Sequence, residues 1–547
     1  MGASTRLDAV ELALYESLFA SCAEEMGVTL MRTAHSPNIK ERLDHSCAVF
    51  DRHGALVAQA AHIPVHLGSM PGAVEAALAL GPFDPGDVVI LNDPYAGGTH
   101  LPDITLVSPV FLGAVGGAGP SRRGRRSRSR RAAPDFFVAS RAHHADVGGS
   151  APGSMPIARE VYEEGLRIPP VFLNRGGRMV DDVMRLVLAN VRTPGERRAD
   201  LAAQLGAHAT GEARLRDLAG RSGGALALAR AARALQDLAE RRVRSGLATL
   251  PRGVFRFEDA LDDDGIGEAP VRIAVALTLS RKGARVDFTG SSPQTRGPVN
   301  AVLAVTRAAT YYVVRCVLGE LPVNAGAFRP IEIVAPAGTV VNPLPPAAVG
   351  AGNVETSQRI VDVVLGAFSR ALPGRIPAAS SGTMNNLLIG GADPRTGRPF
   401  AYYETLAGGH GAGPGWDGES ALQAHMTNTR NTPVEGLEHG YPLRVIETRI
   451  RRGSGGRGRW RGGDGVVRAL ELLAPARVTV ISERRRRGPY GLAGGEGGAP
   501  GINRVRAGRG APERKLPGKV MLDLPEGAEI AIESPGGGGF GRKRSGR

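Results

Sequence analysis

The chain has 547 residues, a formal net charge of +15 and 42% hydrophobic residues. That length exceeds a single core and predicts roughly two to four domains. No run of about 18 apolar residues is present, which excludes a transmembrane helix.

The charge is uneven. Segment 121–131 holds seven arginines and no acid, and Arg542, Lys543, Arg544 and Arg547 crowd the tail. Without these eleven charges the remainder carries +4. Five lysines stand against 63 arginines, a compositional bias toward arginine. A nucleic-acid footprint would interleave aromatics with basic residues. Trp460 is the clearest such case, so no nucleic-acid partner is expected, and no membrane. The start, Met1 to Arg6, has no apolar signal core and carries Arg where a myristoylation motif needs Ser or Thr. The expected location is the cytoplasm. Cys22, Cys47 and Cys316 are too scattered for a disulfide framework or a paired-cysteine metal site.

Apolar spacing predicts an amphipathic helix over 8–27. A dense polar stretch follows, containing Glu41 and Asp44. Cys47–Phe50 and Ala55–Gln59 read as a hairpin with its turn at His53-Gly54. His62-Ile-Pro-Val-His66 comes next. Eight of the twelve histidines lie between residues 35 and 144, which marks this region as the wall of a site. Asp87–Leu91 reads as a buried strand running into Asn92-Asp-Pro-Tyr-Ala-Gly-Gly-Thr-His-Leu-Pro-Asp103. Pro94, Gly97 and Gly98 force a turn. Pro102 disfavours helix at Leu101 and predicts a stiff extended loop carrying His100 and Asp103.

Strand 104–112 then leads away, and Phe136–Ser140 leads into Arg141-Ala-His143-His144-Ala-Asp146. If the two run antiparallel, His143 or His144 arrives beside His100 and Asp103. Imidazole, carboxylate and imidazole suit a divalent metal such as zinc, manganese or iron. Asp93 and Asp146 are candidates to orient the ligands from behind. Bonding to loop backbone is the plainer use of the same residues. Glu41, Asp44 and His66 are the candidates for a general base.

Segment 113–134 loses all apolar periodicity and reads as a solvated, disordered insertion. Residues 180–250 read as several helices with breaks at Thr193-Pro-Gly and Arg221-Ser-Gly-Gly. Strands follow at 271–279 and 284–290, then a helix-like run, Ala301 to Leu318. Asn353, Glu355, Thr356 and Ser357 stand at an expected helix start, where free N–H groups suit an anionic ligand or substrate. Capping by Thr356 or Ser357 explains them equally. Five glycines in 408–415 surround His410, a further candidate for substrate binding, in a loop read as a lid or subunit contact. Short strands dominate from Tyr441 onward, and Pro535 with four following glycines reads as a flexible break. The expected fold is mixed α/β (α+β) and multi-domain. Its parts are residues 1–250 with the metal site, 251–440 as a central α/β domain, and 441–547 as a β-rich domain with a basic tail.

Several familiar motifs fail. There is no phosphate-binding P-loop. Gly453-Ser-Gly-Gly-Arg-Gly458 lacks the helix that a Rossmann turn requires. Gly220-Arg-Ser-Gly-Gly224 separates two helices, whereas a nucleophile elbow follows a strand. Cys47 reads as a small buried strand residue rather than a nucleophile.

These residues nevertheless resemble a known family. Ser36–Asp44, Ile63–Met70, Asn92–Asp103 and Ala142–Gly149 are similar to the hydantoinase B/oxoprolinase family. Gly352-Asn-Val-Glu-Thr-Ser-Gln358, Asn428–Pro433 and Arg461-Gly-Gly-Asp-Gly465 extend the likeness along nearly the whole chain, in order. The departure is the insertion. The family includes B-type subunits of ATP-dependent hydantoinases, the second half of 5-oxoprolinase and the alpha subunit of acetone carboxylase.

The resemblance implies a cyclic-amide hydrolase of two parts. A separate A-type subunit, related to sugar-kinase-like ATPases, would bind ATP and phosphorylate the substrate. This chain would complete the ring opening, in a hetero-oligomer. In the carboxylase branch the alpha subunit holds a metal, usually manganese, and His100, Asp103 and His143 or His144 resemble that kind of site. Two alternatives remain open: an alpha subunit that carboxylates a small ketone, and a non-catalytic scaffold for the ATPase subunit.

Overall fold

The computed structural model describes residues 7–60, 63–113, 133–319 and 321–543. Strand alternation organises the N-terminal part. β1 (His45–Asp51) and β2 (Leu56–Gln59) pair antiparallel, and the Asp51 carboxylate accepts the N–H groups of His53 and Ala55 in the turn. β3 (Val88–Leu91), β4 (Asp103–Val110), β5 (Phe136–His143), β6 (Val171–Arg175) and β7 (Arg178–Met179) complete a seven-stranded sheet. Its order is β2-β1-β5-β4-β3-β6-β7, and every pairing is antiparallel.

Strands β1 to β5 are buried on both faces, and residue parity decides which side chain goes where. Phe136, Val138 and Ala142 join the core formed with helices Ala9–Thr33, Pro194–Arg221 and Ala225–Ala248. Phe137 and Ala139 pack instead with helix Met70–Leu78. The helix expected over 8–27 extends to Thr33 and opens with a reciprocal cap between Asp8 and Glu11. The helical stretch after residue 180 breaks where the sequence predicts, into Asp181–Ala189, Pro194–Arg221 and Ala225–Ala248.

The insertion expected over 113–134 lies outside the described residues except for its ends, as does His62. The Leu112 N–H donates to Asp135, which closes the chain where it leaves and rejoins the sheet.

The central part holds β8 (Gly253–Leu261), β9 (Val271–Ser280), β10 (Gly283–Asp287) and β11 (Ile331–Val334), ordered β11-β10-β9-β8 with β10 and β11 parallel. Helices Leu303–Leu318 and Ser357–Ala371 pack with it. β12 (Asn386–Asp393) and β13 (Arg398–Thr405) form a second sheet with Ala476–Ile481 and Lys519–Leu524, so this sheet spans position 440. A five-stranded sheet of Leu443–Arg451, Gly465–Leu472, Glu529–Glu533, Ile502–Arg506 and Glu513–Leu516 completes a mixed α+β architecture.

The segment Pro535–Gly539 is not a flexible break. Residues 534–541 are all buried. The N–H groups of Gly537, Gly538 and Gly539 donate to the carbonyls of Gly463, Ala379 and Glu496, on three different segments. The 408–415 loop joins the same assembly, with Ala412 N–H donating to Gly538 O. Without side chains, these backbones satisfy one another at close range.

A Cβ on Gly537 would lie 1.9 Å from His410 O, whereas one on Gly220 meets nothing within 4 Å. Gly537→Ala is therefore expected to destabilise the protein by about 3 kcal/mol or more, and Gly220→Ala by about zero. Urea midpoints of the two variants test this; equal midpoints would refute the backbone-packing account.

Candidate metal centre

The register of β4 against β5 sets Asp103 directly opposite His143. His100 precedes Asp103 in a turn, not an extended loop, because Asp103 N–H donates to His100 O at 3.1 Å. Asn92 fixes this turn: its Nδ2 donates to the carbonyls of Leu101 and Leu166, and its Oδ1 accepts from Ile168 N–H. Gly97 supplies the sharp approach to the turn at φ +96°, with Gly72 O 2.5 Å from where a Cβ would stand.

His100 Nε2 lies 3.0 Å and His143 Nδ1 3.2 Å from the same oxygen, Asp103 Oδ1. His66, from the short turn Pro64–His66, brings its Nε2 to 3.5 Å from Asp103 Oδ2. All four side chains are buried. Thr99 Oγ1 donates to Asp103 Oδ2 at 2.8 Å, and Asn353 Nδ2 stands 3.1 Å from His100 Nε2 and 3.4 Å from Asp103 Oδ2. Tyr403 stacks on His143 with ring centroids 4.8 Å apart, and the buried Arg42 guanidinium covers Tyr403 at 4.4 Å.

Burial alone would push the Asp103 carboxyl up, but the neighbouring imidazoles, His100 foremost, hold it well below the usual carboxylate range. Burial alone would push His100 down, and the Asp103 carboxylate more than offsets this. For His143 burial prevails and its pKa falls.

The set fits a divalent cation. Donor atoms of His100, Asp103 and His143 all lie within 4.8 Å of one another. Separations of 3.0 and 3.2 Å match the edge of a coordination shell with bonds of about 2.1 Å. His100 Nδ1 faces Gly350 O at 3.3 Å and His66 Nδ1 faces Ser46 Oγ at 3.0 Å, which leaves each Nε2 turned inward. His66 Nε2 and His143 Nε2 are buried without hydrogen-bond partners.

Other sequence candidates are placed as follows. His144 points to the opposite face of the sheet, its Nε2 3.0 Å from Gln204 Oε1 on helix Pro194–Arg221. Alternation separates it from His143, and burial with nearby Arg197 depresses its pKa to about 4. Asp93 caps Tyr95 N–H and faces Arg167, and Asp146 binds Gly148 N–H and Arg192, so neither backs a triad imidazole. Asp44 lines the triad cavity, whereas Glu41 is half-buried and does not line it.

Of the 353–357 set only Asn353 reaches the triad. Gly352–Thr356 forms a π-helical turn that runs straight into helix Ser357–Ala371. The Ser357 N–H donates to Gly352 O and the Glu355 N–H to Ala351 O, so two of the donors expected to face an anion are already used. Thr356 donates to Val299 O and Ser357 to Asn353 O; neither caps the helix. Glu355 accepts from Met384 N–H and Asn386. His410 lines a separate cleft, with Nε2 2.9 Å from Gln423 O. Sequence reading missed Tyr403, Arg42 and Glu164. Glu164 accepts the N–H groups of Val349 and Gly350 and so fixes the carbonyl that faces His100.

Burial pushes the carboxyls of Glu164 and Glu355 from 4.5 up to about 8, with Glu483 adding to the effect on Glu355. Their folded values exceed their unfolded ones. Their contribution to stability is thus full below the unfolded pKa and declines as pH rises toward about 8. Glutamine keeps an accepting oxygen and cannot ionise. The double variant Glu164→Gln/Glu355→Gln is expected to lose less stability than wild type from about pH 5 to about pH 8. Urea midpoints in chelator measure it, and an equal or steeper loss in the variant refutes the assignment.

The description hydantoinase B/oxoprolinase applies to the family whose model matches residues 8–543. An uncharacterized protein of Methanocaldococcus jannaschii is 39% identical over 545 residues, covering 98% of this chain and 91% of that protein. A 5-oxoprolinase of Dictyostelium discoideum is 39% identical, covering 99% of this chain but 41% of its own length. This chain thus spans about two-fifths of that enzyme. A Pseudomonas protein named as the B-type subunit of a D-/L-hydantoinase is 29% identical, covering 98% of this chain and 90% of that protein.

Among solved structures, an ATP-dependent caprolactamase from Pseudomonas jessenii superposes with a TM-score of 0.88 at 27% identity, covering 99% of this chain and 93% of that one. A nucleotide-free acetone carboxylase shares the fold, with a TM-score of 0.86 at 18% identity over 97% of this chain and 76% of that one. Among the described residues no helix is long and apolar enough to cross a membrane. The chain belongs to the hydantoinase B/oxoprolinase family.

Proposed function

We propose that this chain is the B-type subunit of an ATP-dependent cyclic-amide hydrolase, acting on a ring that an A-type, ATP-using subunit activates. The buried cluster of His66, His100 and His143 around Asp103 carries this reading. Relatives named as a 5-oxoprolinase and as a B-type hydantoinase subunit support the reaction class, and the latter name supports a partner chain. The weaker likeness to acetone carboxylase gives the ketone reading less support.

A divalent cation held by His100, Asp103 and His143 would polarise an amide carbonyl or supply hydroxide at neutral pH. The remaining chemistry belongs to the chain's own groups. Asp103 provides the anionic donor, and the Gly350 carbonyl and Ser46 hydroxyl orient the His100 and His66 rings. Met384, Met426 and Tyr403 line the cavity and exclude bulk water. Asp44 is the carboxylate that lines the cavity without bonding Asp103, and it is the proposed proton acceptor.

Purified wild type is expected to carry about one divalent metal per chain by elemental analysis, and His100→Ala close to none. With an A-type partner and ATP, wild type should open 5-oxoproline or hydantoin, and His100→Ala should fall by about 100-fold or more. Equal metal in both proteins removes the site. Fixation of labelled bicarbonate into acetone, without ring opening, would favour the carboxylase. The chain alone should not turn over ATP; robust turnover by it would overturn the division of labour.

A further inference from the structure

Strand Leu443–Arg451 stands at the end of the five-stranded sheet and pairs with Gly465–Leu472 on one side. Among the described residues no strand covers its other side. Such an edge is a template for pairing with another chain unless side chains or bulges guard it. Ile446 is 48% exposed and Ile450 41% exposed. Among the described residues no other strand exposes two large apolar side chains. Thr448 and Arg449 are exposed as well, and Glu447 is half-buried.

Hydrogen-bond parity fixes which backbone groups this edge offers. Val466 O accepts the Ser534 N–H, and Val466 N–H donates to Ser534 Oγ. Val466 therefore faces the strand Glu529–Glu533 and its extension, whereas Gly465, Val467 and Ala469 face the edge strand. Opposite them lie Arg451, Arg449 and Glu447. The backbone groups of Thr448 and Ile450, between these, point away from the sheet. Ile446 is the unmatched residue of a bulge. Two contacts bound the open stretch. Glu438 Oε1 accepts the Val445 N–H at 2.9 Å, and the Arg452 N–H donates to Ile450 O at 3.0 Å. What remains open is Ile446-Glu447-Thr448-Arg449-Ile450.

This stretch complements itself when turned end for end. We propose that strand Leu443–Arg451 pairs antiparallel with the same strand of a second copy, joining two five-stranded sheets across a two-fold axis. Centred on Thr448, the pair sets Glu447 opposite the second copy's Arg449 and Ile446 opposite the second copy's Ile450. The outward backbone groups of Thr448 meet their own equivalents at the axis. Centring on Glu447 or on Arg449 opposes like charges, so the charges select the register. Glu447 and Arg449 already form an ion pair along their own strand. In the dimer the four charges alternate in sign around the axis. Beyond them Arg444 approaches the second copy's Arg452, but Glu471 already pairs with Arg444. This interface is independent of the reaction that the chain serves.

Sedimentation velocity of the full chain over roughly 1–100 μM is expected to show a monomer–dimer equilibrium. Glu447→Arg and Arg449→Glu each oppose like charges and should raise the dissociation constant about tenfold or more. The double variant Glu447→Arg/Arg449→Glu restores the alternation and should recover the dimer. Mixing the two single variants should also recover it, because one strand then carries two arginines and the other two glutamates. Urea midpoints equal to wild type show that each variant is folded. Hydrogen exchange reads the backbone pairing itself: peptide 443–452 should exchange about threefold or more slowly at the high concentration than at the low. A chain that stays monomeric, a dimer indifferent to both single variants, or single variants that do not recover on mixing overturns the proposal. Protection of this peptide only when an A-type subunit is added assigns the edge to that partner and overturns it too.

Discussion

Asp103 carries a carboxylate into the middle of the protein, and the surrounding elements are arranged to keep it charged there. An isolated ionised carboxyl in such surroundings would neutralise rather than persist. Here Thr99 and the imidazoles of His66, His100 and His143 answer its two oxygens. Asn353 adds a further donor. These groups come from a turn, a second strand, a short helical turn and a π-helical turn. Folding must therefore bring residues 66, 103, 143 and 353 together, or leave a buried charge uncompensated. One carboxylate thus couples the N-terminal sheet to the central part, and stacking of Tyr403 on His143 extends the coupling to β13.

Much of the N-terminal half of this arrangement was legible in the sequence. The two apolar runs on either side of the Arg-rich segment specify an antiparallel pair, and the polar cluster at the end of each specifies where a site forms. The choice between His143 and His144 was not legible. It turns on strand register: with Asp103 opposite His143, the next residue faces helix Pro194–Arg221. A one-residue slip would exchange the two histidines, and nothing local to either strand fixes that register. Asn353, 250 residues from Asp103 along the chain, illustrates a second limit. Its segment has the composition of an ordinary helix start, but the chain forms a π-helical turn there, and the Asn353 side chain reaches the triad.

Glycine misled in an instructive way. A run such as Pro535 to Gly539 reads as freedom because glycine enlarges the unfolded ensemble. The same lack of a Cβ lets backbones approach to hydrogen-bonding distance on several sides at once. Which consequence prevails depends on whether partner segments exist. In this chain they do, at 378–381, 408–413, 454–463 and 489–498, far apart in sequence and therefore invisible to a local reading.

That assembly also bears on the cleft. His410 and Gly411 belong to its wall. His410 O accepts Gly463 N–H, and Gly411 N–H donates to Ser380, itself another wall residue. Ala412 N–H donates to Gly538 O. The wall is thus hung on glycines from the end of the chain, not on a free loop. A lid must exchange its hydrogen bonds with water on opening, and buried N–H groups tied to three segments resist that exchange. The glycine-rich loop is therefore a fixed surface rather than a lid. On this side the cleft is preformed by backbone packing.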